Sequence, residues 1–98
     1  MIKALLEDNS SEVKEFLEFP YENRPYEIGG YILTCLEQYG GEDQGISYFV
    51  VFSVEKDMQK EIYRCDGYYY SYDGVTIDPW DSYEVKPEER VIIEWVRK

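Results

Sequence analysis

Between Cys65 and Val85 the chain sets Asp66, Asp73, Asp78, Asp81 and Glu84 among Tyr68, Tyr69, Tyr70, Tyr72, Trp80 and Tyr83, with no Lys or Arg. Carboxylates beside aromatic rings admit three chemistries: proton transfer, a hard-cation site, or a contact surface for something cationic. Proton transfer has little support. The chain holds no histidine, so the commonest general base and metal ligand is missing. Ser10, Ser11, Ser47, Ser53, Ser71 and Ser82 have only carboxylates as candidate bases. A glycosidase-type acid pair needs a deep cleft, which a chain of 98 residues seldom forms. Gly29-Gly30 and Gly40-Gly41 are isolated pairs, not a phosphate-binding loop. The reading is therefore a non-enzyme with no catalytic residue.

A cation site fares little better. Asp73, Asp78 and Asp81 offer the oxygen ligands that calcium or magnesium takes, but their spacing departs from the EF-hand loop. Asp-Gly and Asp-Pro are also ordinary turn formers. Cys35 and Cys65 lack the spacing of a zinc site. No metal and no cofactor are expected. Two cysteines among apolar neighbours read as buried, reduced thiols of a cytoplasmic protein, with a Cys35–Cys65 bridge between neighbouring strands as the alternative.

Recognition remains. Tyr and Trp supply large contact area at low rotamer cost and are enriched at interfaces. The net charge is −11, from 21 acids against 10 bases. That charge disfavours direct contact with nucleic acid or an anionic membrane and favours a basic partner. The bland counterpart is that acidity keeps a Tyr-rich chain soluble. Candidate partner-binding residues are Tyr68, Tyr70, Tyr72, Asp73, Asp78, Trp80, Asp81 and Glu84, joined by Glu12 and Glu15 from an acidic helix face. That face is more readily read as ordinary solvated surface. Along one strand alternate rings must enter the core, so Tyr68, Tyr69 and Tyr70 should split between faces.

The elements that position these residues follow from periodicity. Val13, Phe16 and Leu17 fall at helical spacing, Asn9 with Glu12 is a plausible capping box, and Pro20 ends a helix from about Ser10 to Phe19. Ile2, Leu5 and Leu6 share that spacing in a lead-in or separate turn. Residues 20–30 read as a connection in which Gly29-Gly30 permits a bend or bulge. Alternation then gives strands at about 31–38, 46–55, 60–66 and 90–97, with a turn-rich segment over 66–85. Tyr48, Val50, Phe52 and Val54 share one face of the second strand. Phe49 and Val51 make its other face apolar too, which predicts a central strand covered on both sides. Short connections favour antiparallel pairing. The expectation is an α+β single domain, an N-terminal helix packed on an antiparallel sheet of four to five strands. Residues 1–6 are too short for a secretory signal, and no apolar run reaches the roughly 20 residues of a membrane span.

Asp66-Gly67-Tyr68-Tyr69-Tyr70-Ser71-Tyr72-Asp73-Gly74, then Trp80-Asp81, then Glu84-Val85-Lys86-Pro87 and a final strand near Glu94-Trp95, resembles a pattern in small uncharacterised phage-encoded proteins: Gly-Tyr-Tyr-x-Ser-Tyr-x-Gly, Trp-Asp, Glu-Val-x-Pro. The likeness covers about the last third of the chain. Here Val75 to Pro79 separate the glycine from Trp-Asp, a longer spacing than in that pattern. The resemblance implies a phage protein in the cytoplasm of an infected bacterium and carries no catalytic residue with it. Joined to the acidity, it predicts an inhibitor that binds a basic host protein, a defence nuclease or a polymerase, with carboxylates standing in for phosphates. Helical acids three or four apart advance about 5–6 Å, against about 3.4 Å per nucleotide, so acids on several elements are needed to trace a duplex. The alternatives are a phage structural or accessory protein, or a homo-oligomeric module, that uses the aromatic segment as its interface, and an acidic immunity or antitoxin partner. As a chain in solution the expectation is a monomer or homodimer.

Overall fold

The computed structural model describes residues 1–40, 47–70 and 74–86, Tyr70 by its backbone only. The expected strand at 90–97 lies outside the described residues, as do Tyr72 and Asp73. Helix α1 spans Ile2–Glu18 and buries Leu5, Leu6, Val13, Phe16 and Leu17. It begins well before Ser10 because Leu5 and Leu6 are as buried as Val13 and Leu17. Packing of that first apolar turn draws it into the helix. Asn9 is therefore a kink inside the helix, at φ −132° and ψ 23°, rather than its opening residue. Its Nδ2 donates to the Leu5 carbonyl at 3.2 Å.

Strands β1 (Pro25–Ile28), β2 (Tyr31–Tyr39), β3 (Ser47–Lys56), β4 (Gln59–Tyr70) and β5 (Gly74–Ile77) form one antiparallel sheet in chain order. A short 3-10 turn, Pro79–Asp81, leads to β6 (Tyr83–Glu84), which pairs with the first half of β4 while β5 pairs with the second half. The protein is α+β: α1 lies on one face of this sheet. The β1–β2 connection is a two-residue turn at Gly29-Gly30 with φ of 57° and 85°, the mirror turn that favours glycine at both places. A Cβ at Gly29 would come within 2.8 Å of Cγ of Asn9, so the helix kink and this turn fit together.

The core is the inward side of β2, β3 and β4 against α1: Leu33, Cys35, Tyr48, Val50, Phe52, Val54, Tyr63 and Cys65. A chain of rings crosses it, Tyr26 to Phe16 at 5.6 Å, Phe16 to Phe52 at 6.0 Å and Phe52 to Tyr63 at 6.0 Å. The buried Tyr48 hydroxyl donates to the Leu17 carbonyl at 2.5 Å, which fixes the C-terminal turn of α1 over β3. β3 is central, but among the described residues no second layer covers its other face. Phe49 is half-buried instead by the Tyr39 ring stacked at 5.4 Å and the Arg64 guanidinium at 4.0 Å.

Cys35 opposes Phe52 and Cys65 opposes Val50, so β3 runs between them. Two strand spacings, about 9–10 Å, exceed the reach of a disulfide. Both are free buried thiols, and burial, with Glu22 second for Cys35, pushes each up to about 11. A thiol reagent at pH 8 should label the native chain at least about 100-fold more slowly than free cysteine, and two thiols should appear on unfolding. Rapid native labelling would contradict this packing.

The β3–β4 turn places Asp57 and Met58 at φ 52° and 67°, and Met58 is almost fully exposed. A left-handed backbone costs a non-glycine residue about 1–2 kcal/mol. Met58→Gly should therefore raise unfolding free energy by about 1 kcal/mol in urea titration. A loss of stability would place Met58 in contacts the turn does not show.

Candidate partner-binding surface

The stretch 66–85 is more regular than its turn-forming composition implies. β4 runs through it to Tyr70, β5 and β6 follow, and the 3-10 turn packs against α1. Tyr68 and Tyr69 divide between the faces. Tyr68 is 56 % exposed on the side away from α1, while Tyr69 is half-buried and lines a cleft beside it. Trp80 is 53 % exposed. Asp78 is committed to structure, since its Oδ1 accepts from the Trp80 backbone N–H at 3.0 Å and caps the turn. Asp81 is exposed in the same turn. Glu84 sits on β6 opposite Tyr63, and its hydrogen bond to Glu61 raises its carboxyl above the ordinary range. Glu61 is held low, first by the Tyr63 hydroxyl at 2.6 Å. Glu84 is exposed on β6.

The outward face of the sheet gathers further rings. Arg64 pairs with Asp66 at 2.9 Å, which raises the guanidinium further, and the Tyr83 hydroxyl donates to the same carboxylate at 3.0 Å. Tyr39, Phe49 and Tyr68 share this face.

Glu12 and Glu15 lie elsewhere. They line a groove of about 660 Å³ with Phe16, Glu18, Phe19, Tyr21, Tyr26 and Ile28. This groove runs between α1 and β1, and α1 also packs against the Trp80 turn and β5. The carboxylates predicted on the helix and those on the C-terminal segment are carried by different elements. A second cleft of about 660 Å³ continues from the first through Glu18, Phe19 and Tyr21 to Gln38, Tyr39 and Tyr69 and on to Gly74 and Val75 of β5.

Phe19 and Tyr21 are exposed to 73 % and 59 %. Reading residues 20–30 as a plain connection passes over Tyr21 and Tyr26. The available signal was their closeness in sequence to Glu12, Glu15 and Glu18, acids three apart on one helix face.

Local rules are broken at this groove. The C-terminal end of a helix carries a partial negative charge and favours cations. The last turn of α1 has no basic residue, yet contains Glu15 and Glu18. The Lys14–Glu18 pair, at 3.9 Å, is long and runs in the less favourable order. Carboxylates kept where they oppose the helix are candidates for a role outside folding. The arrangement can hold a cation: carboxylates and helix carbonyls supply charge, and the rings supply π faces. No helix of the described residues is long and apolar enough to cross a membrane, and among them no group of three His, Cys, Asp or Glu converges to hold a metal ion. No family model, curated protein or solved structure matches the chain.

Proposed function

We propose that this protein binds a basic, nucleic-acid-binding protein and blocks its nucleic-acid surface. The resemblance of the C-terminal third to small phage proteins makes a host nuclease or polymerase the target. The observation that carries the reading is the groove that Glu12, Glu15 and Glu18 line with exposed Phe19 and Tyr21, the last two acids lying at the negative end of α1. Acids on the helix and on the Trp80 turn supply charge on separate elements, as mimicry of a phosphate path requires. Trp80 and Tyr68 add contact area. The test is capture of the partner from bacterial lysate at low salt, its identification, and displacement of a labelled duplex from it by this protein. Loss of nucleic-acid binding on addition supports the proposal; a captured protein that keeps its duplex contradicts it.

A second reading is a homo-oligomer joined through the outward sheet face. Its support is the Tyr39, Phe49, Tyr68 and Tyr83 surface, which no described residue layers over. Sizing chromatography separates the two. A dimer that dissociates on Tyr68→Ser supports this reading, and a monomer at micromolar concentration removes it.

A further inference from the structure

Resting on the basic-partner reading, we infer that the groove between α1 and β1 takes an arginine side chain of that partner, selecting guanidinium over ammonium. The molecule already holds cations over rings: Arg24 here, Arg64 over Phe49, and the Lys56 ammonium over Tyr31 at 4.4 Å. Arg24 Cζ lies 5.8 Å from the centroid of the Tyr21 ring and 5.7 Å from that of Tyr26. Among the described residues Arg24 pairs with no carboxylate, despite a net charge of −11. Its guanidinium is held by rings. A tight turn places it there, with the Arg24 N–H donating to the Tyr21 carbonyl at 3.3 Å.

The same two rings line the groove, and its remaining wall is Glu12, Glu15 and Glu18 with exposed Phe19 and the buried Phe16 and Ile28. An incoming arginine finds a π face and a carboxylate row together. A guanidinium suits that combination better than an ammonium, because it is planar, more weakly hydrated and stacks on rings. If Arg24 shares the groove-side face of Tyr21, a partner arginine competes with it for that ring.

The test uses the full chain with hexa-arginine and hexa-lysine peptides, read by calorimetry at low salt. Hexa-arginine should bind about fivefold tighter than hexa-lysine. Tyr21→Leu, an exposed position outside the core, should erase that preference. Arg24→Gln should strengthen hexa-arginine binding more than Lys60→Gln, which removes the same charge at an exposed site on β4. Equal binding of the two peptides overturns the arginine site and leaves the basic-partner reading standing. Binding of neither peptide removes both. A preference that survives Tyr21→Leu also overturns the site, and weaker binding on Arg24→Gln overturns the exchange by showing that Arg24 holds the rings in place.

Discussion

Phe52→Ala should lower the unfolding free energy by about 3–5 kcal/mol. Phe52 is fully buried in the central strand, and its ring lies between Phe16 of α1 and Tyr63 of β4. Truncation removes the link between helix and sheet and leaves a cavity that three neighbouring elements must collapse around. A domain of this length has only about 5–15 kcal/mol in total, so the loss is a large fraction of the whole. Urea titration followed by circular dichroism reads this directly. A loss below about 1 kcal/mol would mean that the aromatic chain does not hold α1 to the sheet.

The second large effect concerns binding and has an unusual pair of signs. Glu12→Gln, Glu15→Gln and Glu18→Gln together should weaken binding to the captured basic protein about 10–100-fold at low salt. The same triple variant should melt at an unchanged or slightly higher temperature. Glu15 and Glu18 face the negative end of α1, and none of the three carboxylates is buried. Solvated carboxylates with no role outside folding would move neither quantity much. Weaker binding with an intact fold assigns the groove to the partner. Unchanged binding assigns the contact to the Trp80 turn or the outward face.

The fold was legible where one face is buried and the other is not. Tyr48, Val50, Phe52 and Val54 alternate with more polar or half-exposed neighbours, and burial follows that alternation except at Ser53, which is buried on the other face. The start of α1 was less legible. Asn9 has the chemistry of a helix cap, and only the depth of Leu5 and Leu6 in the core shows that the helix runs through it. β1 was hidden because Pro25 and Gly29-Gly30 mark a connection, although Ile28 and Tyr26 face inward and pair with Tyr31 and Leu33. For the same reason Tyr21 and Tyr26 escaped notice as groove residues. The acidic and aromatic character of the surface could be read from composition. Which of these residues share a groove depends on the packing of α1 against β1, β5 and the Trp80 turn.

The most direct test of a charge-led interface is the affinity for the captured basic protein measured against salt. The account predicts a fall of about tenfold or more between roughly 50 and 200 mM, with duplex and this protein excluding one another throughout. An affinity that stays flat across that range, or a ternary complex with the duplex still bound, would contradict it.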